Sequence, residues 1–141
     1  MRHLFLCFAL CVGSGWQSAW ADLVVIVNAR SGVAAMTRNE IVHIFLGRNR
    51  LFFSGQEAVP VDLQGDHPLR AQFYRLLVGK ELAEIDAYWS RQRFTGGVSP
   101  PVRLHGSEEV LDWVANRPGA IGFAELSRTD ARVRVVHNLS R

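Results

Sequence analysis

The chain has 141 residues, 48% of them hydrophobic, and carries 16 Lys plus Arg against 13 Asp plus Glu for a formal net charge of +3. A chain of that length forms one domain with a core of its own. The basic residues are scattered, without a run of four, which argues against nucleic acid as a partner.

The chain opens on Arg2 and His3, continues as an apolar run from Leu4 to Val12, and reaches Ser18-Ala19-Trp20-Ala21. The run is well short of the ~20 residues of a membrane-spanning helix. Ala19 and Ala21 occupy the A-x-A positions of a signal-peptidase site, so a secretory signal peptide over 1–21, removed after Ala21, is expected. Both cysteines, Cys7 and Cys11, leave with it. The remaining chain must then be stable without disulfides. Loss of Arg2 leaves 15 basic against 13 acidic residues, a net charge of +2.

Residues 22–28, DLVVIVN, form a β-branched run that predicts a buried strand. After a connection, Thr37-Arg38-Asn39-Glu40 spells a capping box, and the helix it opens runs through Ile41, Ile44 and Phe45 to a stop at Gly47. RNRLFFSGQE is a loop with a Ser54-Gly55 turn, and AVPVDL (58–63) a second strand. In GDHPLRAQFYRLLVGK, Asp66 or His67 caps a helix with Pro68 at its first position and Gly79 at its end. Leu69, Phe73, Leu76 and Leu77 make its buried stripe. A third helix covers roughly 82–91, with Ile85, Tyr88 and Trp89 on one face. FTGGVSPP follows as a rigid loop. Ser107 is the expected cap of a fourth helix with Val110, Leu111 and Val114 inward. Asn116 to Gly119 end that helix, Ala120 to Phe123 form a strand, and RVRVVH is a last short one. Strands interleaved with amphipathic helices predict an α/β layered domain with a parallel or mixed sheet. There are no internal repeats.

Several patterns bear on chemistry. Glu40-x-x-His43 is half of a di-iron motif whose second half is missing. The histidines His43, His67, His105 and His137 have no metal-ligand spacing, and there is no H-E-x-x-H or CxxC. Ser31 or Ser54 with His67 and Asp62 could be drawn as a triad, but no G-x-S-x-G elbow supports one. The sequence therefore predicts no enzyme, no metal and no cofactor. The more informative stretch is LQGDHPLR (63–70): a strand end, a Gly65 turn and a helix N-terminus with Arg70 in its first turn. Free N–H groups there favour an anion and an arginine adds a charge-assisted contact. The alternative is an ordinary capped helix with Arg70 in solvent. On either reading Arg70→Ala leaves stability nearly unchanged. Thr95 and Gly96 in FTGG offer a hydroxyl and a backbone donor, or form a plain turn. Gly122, in the middle of a short apolar strand, serves either a ligand's close approach or tight packing.

VVIVNARSG, TRNEIVHIFLGR, VPVDLQGDHPLRAQFYRLL, FTGG and RPGAIGFAEL, in this order, resemble the phosphate-binding subunit of bacterial ABC phosphate importers. The likeness spans nearly all of residues 22–141, and I-F-L-G and P-G-A-I-G-[FY] are its most specific pieces. It implies one lobe of a type II periplasmic binding protein-like fold, a mixed sheet flanked by helices, in a periplasmic protein. It also implies that Gly122 is a packing residue beside the site. The family's Ser-Gly-Thr at the helix N-terminus is replaced here by His67-Pro68-Leu69, and the family's preceding arginine by Asp62-Leu63. Pro68 removes a backbone donor. Weak binding of inorganic phosphate or a similar anion is therefore expected at the helix N-terminus, by Gly65, Asp66, His67 and Arg70, with Thr95 and Gly96; no motif match to the family makes Arg70 a ligand. A membrane transporter, a sensor protein or a second copy would close the site. The alternative is an interaction module of the same fold that binds no small ligand.

Overall fold

The computed structural model describes residues 22–141; the expected signal peptide lies outside them. The strands are β1 (Leu23–Asn28), β2 (Val59–Leu63), β3 (Val102–Leu104), β4 (Ala120–Glu125) and β5 (Val133–Asn138). The helices are α1 (Arg38–Phe45), α2 (Pro68–Val78), α3 (Leu82–Thr95) and α4 (Ser107–Asn116), with a 3₁₀ turn at Leu126–Arg128.

The strands form one mixed sheet in the order β3-β2-β4-β1-β5. β2 runs parallel to β3 and β4, while β1 lies antiparallel between β4 and β5. Every residue of β1 is buried, which is why its sequence is an unbroken apolar run rather than an alternating one. Phe45 of α1, Phe73 of α2 and Phe123 of β4 pack as one aromatic cluster; Phe73 and Phe123 stack with ring centroids 3.9 Å apart. α4 packs on β4 and β1 through Val110, Leu111 and Val114.

Gly122 belongs to the layer beneath α4. A Cβ there would stand 2.8 Å from Val61 Cγ2 and 3.0 Å from Val110 Cγ1, so the missing side chain lets helix and strand close together. At its far end α4 is tied down by the buried Asn28. The Nδ2 of Asn28 donates to the carbonyls of Val114 (2.8 Å) and Ala115 (2.9 Å) in the last turn of α4, where the Arg117 N–H reaches Val114 only at 3.4 Å.

Several boundaries differ from the sequence reading. The Thr37–Glu40 capping box is present, and Pro68 and Gly79 bound α2 as expected. α3 continues to Thr95, because nothing breaks it before Gly96, whose φ of 62° ends it. Within α2, Leu76 is only half-buried, whereas Arg70 and Tyr74 are buried. Ser107 is the first helical residue of α4, not its cap; Gly106 holds that place and makes no side-chain cap bond. The unanticipated β3 follows Pro100-Pro101 and is a three-residue edge strand.

Candidate functional site

β2 and β3 are parallel neighbours, and their carboxyl ends lie side by side: Leu63 pairs with Leu104, and the N–H of Gln64 donates to the carbonyl of Leu104 at 2.9 Å. α2 begins just after β2 and α4 just after β3. Two helix N-termini therefore start from one edge of the sheet, where ligands of open α/β sheets sit.

The charged centre of this edge is Arg70, with no exposed surface. Its Nε donates to Asp62 Oδ2 at 3.1 Å, Nη1 to the Gly65 carbonyl at 2.9 Å, and Nη2 to Asp86 Oδ1 at 3.1 Å. Asp62, on β2, is equally buried; its carboxylate also accepts from the Tyr74 hydroxyl at 2.8 Å and the Leu63 N–H at 2.7 Å. Burial alone would lower the Arg70 pKa, but the Asp62 carboxylate, helped by Asp86, outweighs it and holds the guanidinium above its ordinary value. Burial, reinforced by the neighbouring Asp62 carboxylate, pushes the Tyr74 phenol well above its ordinary range. Arg103 on β3 completes the group: its Nη2 donates to the same Asp86 Oδ1 at 3.3 Å.

Arg70 is thus not in solvent: each of its three nitrogens already spends one donor inside the protein, which argues against the expectation that its removal spares stability. The Pro68-Leu69-Arg70 turn also offers little. Pro68 has no N–H, the Leu69 N–H is taken by His67 Nδ1 at 3.1 Å, and only the Arg70 N–H lacks an acceptor among the described residues. Gly65 adopts a φ of 57° and lends its carbonyl to Arg70, so it faces the arginine as an acceptor. Asp66 is exposed and places a negative charge at the turn.

Thr95 and Gly96 are not brought to this group. Thr95 lies nine residues beyond Asp86 on α3, on the order of 13 Å along a helix rising ~1.5 Å per residue. Its hydroxyl donates to the Gln92 carbonyl at 3.1 Å, and Gly96 is the helix end. The triad is not assembled either, since Asp62 and His67 are engaged as described, while Ser31 Oγ accepts from the Val33 N–H at 3.2 Å. Among the described residues no three His, Cys, Asp or Glu side chains converge as for a metal ion. A hollow of about 450 Å³ between α1 and α3, lined by Val42, Leu46, Ile85, Tyr88, Arg48 and Arg91, lies apart from the Arg70 group. Sequence reasoning missed Asp86 and Arg103. Asp86 sits on an exposed, weakly patterned helix and Arg103 on an unrecognised strand; only an acid in the middle of the apolar β2, Asp62, signalled that Arg70 had a partner.

No protein-family model matches the sequence, and no curated protein does. Solved structures match at low identity. An ABC-type phosphate transport receptor from Vibrio cholerae is 17% identical with a TM-score of 0.65, over 83% of this chain and 46% of that one. A putative phosphate ABC transporter substrate-binding protein from Clostridium perfringens, with bound phosphate, is 18% identical with a TM-score of 0.67, over 82% and 44%. A possible phosphate binding protein from Planctomyces limnophilus is 14% identical with a TM-score of 0.60, over 82% and 40%. The chain therefore has the fold of one lobe of a periplasmic binding protein. It spans less than half the length of these neighbours.

Proposed function

We propose that this chain is a secreted, periplasmic, single-lobe relative of phosphate receptors, without enzymatic activity, that meets phosphate or a similar oxyanion weakly at the edge formed by Gly65, Asp66, His67 and Arg70. A transporter, a sensor or a second copy supplies the surface that closes it. The observation that carries this reading is the convergence of the α2 and α4 N-termini on the carboxyl ends of β2 and β3, in the fold of proteins described as phosphate receptors.

Weak affinity follows from what the edge has left to offer. An exposed helix N-terminus contributes ~0.3–1 kcal/mol to an anion, and one charge-assisted hydrogen bond ~1.5–3 kcal/mol. Together they fall near or short of the ~4 kcal/mol of millimolar binding. A second reading, a protein-contact module of the same fold, is favoured by the occupation of Arg70 by Asp62 and Asp86. Calorimetric titration of phosphate into residues 22–141 separates them. Dissociation at about millimolar or weaker supports the first reading, and no heat even at tens of millimolar supports the second. Micromolar affinity in a demonstrated monomer overturns both. The leader is tested by the intact mass of the exported protein, which should begin at Asp22; a mass that still includes Met1 to Ala21 overturns it.

A further inference from the structure

We infer that Asp86 is a built-in occupant of an oxyanion subsite made by Arg70 and Arg103. This rests on the reading of the β2–β3 edge as an anion surface. One oxygen, Asp86 Oδ1, receives Nη2 of both arginines, at 3.1 and 3.3 Å. The charges divide unevenly around it. Arg70 is already neutralised by the buried Asp62, whose side chain is 2% exposed. Asp86 therefore adds a second carboxylate to a guanidinium that has one, and it does so from the surface: its side chain is 52% exposed. Arg103 is 34% exposed and, among the described residues, is paired with Asp86 alone.

Removing the Asp86 carboxylate would leave two guanidinium groups converging on a space open to solvent, with one uncompensated positive charge between them. Nη2 of each arginine carries two N–H donors and spends one on Asp86. The pair thus has more donors than a single carboxylate oxygen satisfies, and paired guanidinium groups suit an oxyanion bearing several acceptor oxygens, such as phosphate or sulfate. An external anion has to displace a tethered carboxylate, which acts at the high effective concentration of an intramolecular ligand. The subsite is in this way kept closed by the chain itself, and a partner that drew Asp86 away would open it.

The test compares wild-type residues 22–141 with Asp86→Ala and Asp86→Asn, titrated with inorganic phosphate and with sulfate by calorimetry, after circular dichroism has established that each is folded. The expected result is a gain in affinity of roughly tenfold or more over wild type for a folded Asp86 variant. Arg103→Ala in the same background should remove it. Asp86→Asn keeps the size of the side chain, and it decides the matter if the alanine variant does not fold. Folded variants that bind both anions no better than wild type overturn the inference, as does a gain that survives loss of Arg103. These outcomes are ratios between variants. They are independent of the absolute wild-type affinity that decides between the two functional readings.

Discussion

At Arg70 a single side chain joins β2, the turn before α2, and α3. Arg70→Ala would leave the Asp62 carboxylate buried with only the Tyr74 hydroxyl and the Leu63 N–H. Breaking a buried pair by removing one partner costs about 3–5 kcal/mol, and urea denaturation should show a loss of that size. A loss below ~1 kcal/mol would mean that the network holds nothing in place. Tyr74 gives a pH signature. Its folded-state pKa is raised by burial and by Asp62, so its contribution is complete below the unfolded phenol's pKa of ~10 and is lost as pH climbs above it. Stability should fall above about pH 10, and Tyr74→Phe should flatten that fall; an unchanged alkaline slope would refute it. Gly122→Val should cost roughly 1–3 kcal/mol by overpacking against Val61 and Val110, and a variant of native stability would put the glycine elsewhere. The packing role of Gly122 was one of two readings that a glycine inside a short apolar strand leaves open, and the family resemblance chose between them. The network around Arg70 was not, because LQGDHPLR specifies the turn but is silent about which distant acids reach it.

The helices were legible where local chemistry defines their ends. Thr37 and Glu40, Pro68, and Gly79 each act within a few residues of themselves, and all three signals hold. The failures occur where tertiary contacts decide. α3 presents only Ile85 and Trp89 as fully buried positions, so its periodicity fades before the helix ends at Thr95. β3 has three residues and exists because β2 offers a parallel partner. Asn28 shows a third kind of silence: at the end of β1 it looks like a turn residue, yet its amide closes α4 across the fold. Asn28→Ala should leave the Ala115 carbonyl without its side-chain partner and Val114 with only the long bond from the Arg117 N–H, and cost about 1–3 kcal/mol. Hydrogen exchange should rise first in the last turn of α4; exchange unchanged there would show that water replaces the amide at no loss.

For the molecule as a whole, the α/β class could be read from the interleaving of strands and amphipathic helices, whereas the single-lobe fold rested on the resemblance of its motifs to phosphate-binding subunits. The strand order could not, since nothing local in DLVVIVN tells an antiparallel central strand from a parallel one. That order has a consequence in time. β1 is made first among the strands, yet its partners are β4 and β5, with Val24 opposite Ala124 and Asn138. The centre of the sheet therefore has to wait for the end of the chain, and contacts so distant in sequence slow folding. A nascent chain would stay unfolded at the centre of its sheet until its C-terminal strands emerge. Residues 22–116, which keep α1 to α4 but lack β4 and β5, should accordingly show no cooperative melt, whereas residues 22–141 should show one; a cooperative transition in the shorter chain would mean that it closes without the strands that flank β1.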